Sequence, residues 1–214
     1  MKTFLGLNVP TTLPEICSAE QLALLVYDMQ VGITRQITGS EAVVANAGRV
    51  LKAARDARMR VFFTRHMSLP LELMGAFQLR MAMAWQRVEE PSGVKPWFLR
   101  DSPNFQIVPE LTPLGSEAIF DKITMSAFEL NIALRDCRVT AVAVTGIALE
   151  VGIEPTVRHA IDLGLVPLII SDACGSGNPD AARRSLESLA FEGSTLVTDV
   201  ATFTELIGRP RDDR

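Results

Sequence analysis

Leu22 to Tyr27 (LALLVY) is an unbroken apolar run halted by Asp28, the pattern of a strand buried on both faces. After it, Val43, Val44, Ala47, Val50, Leu51 and Ala54 recur at three- and four-residue spacing, which predicts a helix that Ser40 can cap. Arg60 to Thr64 (RVFFT) reads as a second strand. From Leu71 to Arg87 the apolar positions Leu73, Met74, Phe77, Met81, Ala84 and Trp85 again fall at helical spacing after Pro70, and the methionines read as core filling. Glu90 to Leu114 holds five prolines and little periodicity, so a long surface connection is expected there.

Regular alternation resumes beyond it. Ala118 to Phe120 reads as strand, Glu129 to Asp136 as helix, Thr140 to Thr145 as strand and Glu150 to Leu163 as helix. Val166 to Ser171 reads as strand, Asn178-Pro179-Asp180 as the start of a helix running to about Ala190, and Thr195 to Thr198 as a last short strand. Alternating strands and helices imply right-handed crossovers and a mostly parallel six-stranded sheet covered on both faces, a three-layer α/β/α arrangement within a single domain, 1–214. Ligands bind such sheets beyond the carboxyl ends of the strands. Asp28, Gln30, His66, Lys122, the turn from Gly146 to Gly152, and Asp172 are therefore the residues to follow.

Composition narrows the function classes. With 48% hydrophobic against 21% charged residues and a mean hydropathy of +0.21, the chain is globular with a slight apolar surplus that a homo-oligomer, dimer or tetramer, would absorb. A net charge of −4 and a pI near 5.3 provide no electrostatic footprint for nucleic acid or an anionic membrane. No apolar run approaches a membrane span, and Asn8 and Pro10 interrupt the first apolar stretch before it reaches signal-peptide length. Cys17, Cys137 and Cys174 form neither a disulfide framework nor a metal knuckle, and of the two histidines His159 lies mid-helix with no acidic or cysteine partner at ligand spacing, so a metal-free, cofactor-free protein of a reducing cytoplasm is expected.

Asp28 leaves its strand at the rim of the sheet, where a carboxylate needs a nearby cation to stay charged, and Lys122 leaves another strand in the same way. Together they would suit proton transfer in a low-dielectric cleft; alternatively, each is an ordinary strand-end charge facing water. Gly152 sits in a strand-to-helix turn (VTGIALEVGIEPT) where a nucleophile would be activated by the helix dipole, and contributes only its N–H and space, or else close helix packing. His66 reads either as a substrate contact or as a loop histidine bonded to backbone. Cys174 is the one cysteine placed to approach the cleft, as a displaced nucleophile or a small buried hydrophobe.

The segments DMQ at Asp28–Gln30, KxxxSAF at Lys122–Phe128 and GxAxExGxxxT at Gly146–Thr156 resemble, in order and separation, the signatures of the isochorismatase-like cysteine hydrolases. The resemblance extends from about Ala23 to about Leu206 and implies an α/β/α fold and hydrolysis of a small molecule by an Asp-Lys-Cys triad. It implies Asp28 as acid/base and Lys122 as its partner, places Gly152 where the cysteine belongs, and places a cis peptide between Ile147 and Ala148. Gln30, His66, Phe128, Ile147, Ala148 and Val151 are expected to meet substrate, with orientation of Asp28 the alternative role for Gln30.

Isochorismatases proper also carry glycine at the nucleophile position, since cleaving an enol ether needs an acid and water rather than a thioester. Their two substrate-side tyrosines align with Met125 and Ala148 here, and the Asp-x-His metal cluster of nicotinamidase-type relatives is missing. Three functions are therefore expected to compete: an acid-catalysed hydrolase, a catalytically silent binding homologue, and an amidohydrolase whose cysteine is missing or replaced.

Overall fold

The computed structural model describes residues 1–17 and 21–209. A short antiparallel hairpin, β1 (Lys2–Phe4) and β2 (Leu7–Val9), precedes α1 (Leu13–Cys17). The main chain then runs β3 (Leu22–Tyr27), α2 (Val31–Thr34), α3 (Ser40–Asp56), β4 (Arg60–His66), α4 (Ala76–Gln86), β5 (Ala118–Lys122) and α5 (Asn131–Asp136). It continues through β6 (Ala141–Ile147), α6 (Glu154–Asp162), β7 (Val166–Gly175), α7 (Pro179–Glu192), β8 (Leu196–Thr198) and α8 (Val200–Gly208).

Strands β3 to β8 form one six-stranded parallel sheet in the order β5-β4-β3-β6-β7-β8. The order reverses between β3 and β6, so the cleft expected of such a sheet lies over the carboxyl ends of these two strands. Parity along β3 builds the three layers. Leu22, Leu24 and Val26 pack with Ala47, Val50, Leu51 and Ala54 of α3 and Phe203 of α8. Ala23, Leu25 and Tyr27 face the other way, toward Leu134 of α5, Val157 and Ala160 of α6 and Leu189 of α7. The parity places the Tyr27 ring on the α6 face, directly beneath the turn that leads into that helix.

Several expectations change in detail. Ser40 is the first residue of α3 rather than its cap; Gly39, in a left-handed conformation, occupies the cap position. Asn178 does cap α7, accepting from Ala181 N–H at 2.9 Å. The helix expected from Leu71 begins only at Ala76 after a short 3-10 turn, and none of its residues is buried; Phe77 is 67% exposed, so its apolar side chains line a surface groove rather than fill the core. The connection from Glu90 to Leu114 is not confined to the surface. Val94, Phe98, Phe105, Val108 and Leu111 are buried, and Ile107 bridges to Gln30, because the apolar spacing inside the proline-rich stretch covers the ends of β3 and β4. Strand β7 runs on to Gly175, which puts Asp172 inside the strand, where Oδ1 accepts from Val200 N–H at the start of α8, 2.8 Å away. Among the described residues no helix is long and apolar enough to cross a membrane.

Gly146 pairs with Tyr27 across β3 and β6 at a φ of +138°, and a Cβ there would lie 2.8 Å from the Tyr27 carbonyl carbon and closer still to its oxygen. Gly146→Ala is accordingly expected to lose at least about 2 kcal/mol of stability in urea denaturation, from strain and backbone collision together.

Candidate active site

Asp28 leaves β3 with a φ of +46°, a left-handed conformation that aspartate tolerates better than most residues and that turns its carboxylate over the strand ends. Thr64 on β4 secures it twice: its hydroxyl donates to Asp28 Oδ1 at 2.7 Å and accepts from the Asp28 N–H at 3.2 Å. Lys122, the last residue of β5, donates to Asp28 Oδ2 at 2.7 Å and is only 1% exposed. Its other two N–H groups go to Tyr27 Oη at 2.9 Å and the Thr124 carbonyl at 3.1 Å, and Nζ stands 4.3 Å from the Tyr27 ring centroid. All three donors of the ammonium are thereby used. The two charges face each other in the interior rather than facing water as separate strand ends.

The turn after β6 departs from a simple helix start. The Ile147–Ala148 peptide is cis, and Leu149–Ile153 forms a π-helical turn before α6. Within it the N–H groups of Gly152 and Ile153 both donate to the Ala148 carbonyl, at 3.0 and 3.1 Å. The Gly152 N–H is thus spent inside the turn and does not point freely into the site. Thr156 locks the turn to the opposite loop, donating to the Gly152 carbonyl at 2.6 Å and accepting from Ala127 N–H at 3.1 Å. Glu150 Oε1 accepts from the N–H groups of Gly177 and Asn178, each at 2.8 Å, and holds that loop against the cavity.

The space expected to open at Gly152 is filled. A Cβ on Gly152 would lie 2.5 Å from Tyr27 Cζ and 2.7 Å from Cε1, with the phenol oxygen nearer still. Tyr27 is held there by its hydroxyl, which donates to the Met125 carbonyl while accepting from Lys122. Burial, reinforced by the negative charge of Asp28, keeps the phenol pKa well above its usual value, so it is a neutral donor. Sequence reasoning passed over Tyr27 as the last apolar residue of a buried strand. The signal that could have found it is a phenol one position before the carboxylate in a chain with glycine where a thiol would stand.

Asp28, Tyr27, His66, Ile147, Ala148, Val151 and Gly152 meet around one cavity of about 170 Å³, which Ile33, Gln36, Ile37, Trp85, Trp97, Phe98, Met125 and Gly177 complete. Burial lowers the His66 pKa more than the charge of Asp28 raises it, which favours the neutral imidazole. Gln30 and Phe128 are not among the cavity walls. The Gln30 amide is committed to backbone, donating to the carbonyls of His66 and Phe105 at 3.1 and 3.0 Å and accepting from His66 N–H at 2.6 Å. It fastens the long connection to β4. Phe128 packs against His159, 5.0 Å between centroids. Cys174 points away toward the Val144 carbonyl, 3.8 Å distant, and burial pushes its thiol up to about 12, which removes it as a nucleophile. Among the described residues no group of His, Cys, Asp and Glu is arranged to hold a metal ion.

The isochorismatase domain model matches residues 22–202. Ureidoacrylate amidohydrolase RutB of Serratia proteamaculans is 25% identical over 209 residues, covering 89% of this chain and 84% of its own. The protein of the same name from Cronobacter sakazakii is 27% identical over 211 residues, covering 88% and 89%. A cysteine hydrolase from Pseudomonas syringae pv. phaseolicola shares the fold with a TM-score of 0.75 at 24% identity, over 88% of this chain and 93% of that one.

Removing one member of a buried ion pair strands the other. Lys122→Met is expected to cost about 3–5 kcal/mol in urea denaturation, with part of the loss recovered when Asp28→Asn is added. Gly152→Cys should lower the melting temperature on its own. Adding Tyr27→Val should relieve it, with a favourable coupling of about 1 kcal/mol or more in a double-mutant cycle; simple additivity would show that ring and side chain do not compete.

Proposed function

The chain belongs to the isochorismatase domain family of hydrolases, and from that premise we propose that it hydrolyses a small molecule by acid catalysis, with water rather than an enzyme thiol as the attacking group. One observation carries this reading: the Tyr27 ring stands where the side chain of a residue at Gly152 would have to go. That a second side chain occupies the space a residue at 152 would need supports a site that works without a thiol.

An enol ether of the isochorismate type suits the remaining groups. Asp28, in its protonated form, delivers a proton to the enol carbon, and the resulting oxocarbenium ion is captured by water. The hemiketal then collapses to an alcohol and a carbonyl compound, and its proton returns to Asp28. Lys122 at 2.7 Å and the Thr64 hydroxyl at 2.7 Å stabilise and orient the carboxylate that forms as the proton leaves. The same carboxylate faces the cation, which lowers its energy. Ile147, Ala148 and Val151 shape one wall, and His66 as a neutral imidazole offers a hydrogen bond to the substrate or the water. Gln30 acts through the loop that it fastens.

A second reading draws on the relatives named ureidoacrylate amidohydrolase, at 25% and 27% identity. Hydrolysis of a C–N bond here would also have to use water directly, activated by Asp28 as base, since the Tyr27 ring leaves no room for an acyl-thioester. The two reactions place opposite demands on Asp28, as acid or as base, so the pH dependence of turnover separates them.

Turnover of a panel of small enol ethers and primary amides, isochorismate among them, tests the proposal. Asp28→Asn is expected to reduce kcat by about 10²- to 10⁴-fold with the circular dichroism spectrum retained. Full activity in that variant would defeat the acid role. Saturable binding with no turnover of any substrate would mark the chain as a binding homologue instead.

A further inference from the structure

The walls of the cavity carry more information about the substrate than its centre does. We propose that this site, if it acts as described above, takes an uncharged ligand built on a single aromatic or similarly flat apolar ring and rejects carboxylates, so that the enol ether it cleaves is an uncharged one and not isochorismate itself, a dicarboxylate.

Among the residues around the cavity there is no arginine, and no lysine. Lys122 lies behind Tyr27 and Asp28, with every N–H given to Asp28, Tyr27 and Thr124, so it offers nothing to a second anion. Lys95 lines the adjoining outer groove and not the cavity. His66 is kept neutral by burial. The acidic group that does reach the cavity is Asp28, ion-paired with Lys122 except when it carries the proton that it delivers. A carboxylate entering here would meet like charge, would lose its hydration and would gain no cation.

The apolar walls are also fixed in place. The Gln86 side chain bonds both the N–H and the carbonyl of Lys95 at 2.8 Å, which brings Trp85 at the end of α4 and Trp97 to the same rim. Phe98 is held by Ser68, whose Oγ accepts from Phe98 N–H at 3.2 Å and whose N–H donates to the Phe98 carbonyl at 2.9 Å. The Phe98 ring stands edge-on to Trp97 at 6.3 Å and to His66 at 6.1 Å. Rings carried on hydrogen-bonded backbone lose less ordering entropy when another ring packs against them. A cavity of about 170 Å³ is the right size for one six-membered ring and a short substituent, since an apolar cavity of about 150 Å³ accommodates benzene.

Both tryptophans of the chain lie at this cavity, so their fluorescence reads its occupancy directly. Benzamide and benzoate, equal in shape and different in charge, are titrated into the intact protein at pH 8, with acetamide as a ringless control. Benzamide is expected to give a saturable change, with benzoate and acetamide each weaker by about tenfold or more. Asp28→Asn should bring benzoate to within about threefold of benzamide, because the repelling charge is gone. Benzoate binding as tightly as benzamide, acetamide matching benzamide, no benzamide response up to its solubility, or a preference unchanged in Asp28→Asn would each overturn the inference. Turnover that survives Asp28→Asn would defeat the acid mechanism while leaving the binding preference standing, so the two failures are distinguishable.

Discussion

The contact on which the rest of this site depends is the buried ion pair between Lys122 and Asp28, 2.7 Å apart on the ends of two strands that are not neighbours. Strand β4 lies between them, and from it Thr64 supplies the hydroxyl that keeps the carboxylate turned toward the lysine. A charge in such a place is tolerable only when its partner and all its hydrogen bonds are supplied. That requirement reaches outward. Lys122 needs Tyr27 Oη and the Thr124 carbonyl as its remaining acceptors, Tyr27 needs the Met125 carbonyl, and the loop that carries Thr124 and Met125 is in turn fastened through Ala127 to Thr156.

From this chain of dependence follows the unusual content of the turn after β6. A phenol that satisfies Lys122 must lie across the space next to Gly152, and a residue with a side chain cannot share that space. Glycine at 152 and tyrosine at 27 are therefore two halves of one packing solution. The solution gives the cavity a hydrogen-bonded floor, and Asp28 reaches the cavity beside it. The aromatic residues contributed by α4 and by the proline-rich connection close the site from the other side.

Much of the scaffold was legible along the chain because it follows from local periodicity. The all-apolar run before Asp28, the spacing of Val50, Leu51 and Ala54, and the Asn178 cap each declare an element through a rule that operates within a few residues. Misreadings arose where the same patterns serve a different partner. The apolar stripe of α4 looks like a core helix, yet it borders a groove, since periodicity reports which face is apolar and not what covers it. Gln30 emerges at a strand end as a ligand contact would, but its amide bonds two backbone groups of His66 on β4 and one of Phe105 in the covering loop.

By itself the sequence determined the alternation of strands and helices, the six-stranded α/β/α class, and the strand-end positions of Asp28 and Lys122. Those features depend on the order and spacing of residues along one chain. The tertiary structure alone decided that Tyr27 fills the Gly152 site, that Lys122 has no donor to spare, and that the cavity is walled by rings and lacks a cation. Each of these depends on side chains that lie far apart in sequence competing for the same volume or the same hydrogen bonds, and neighbouring residues carry no record of such competition.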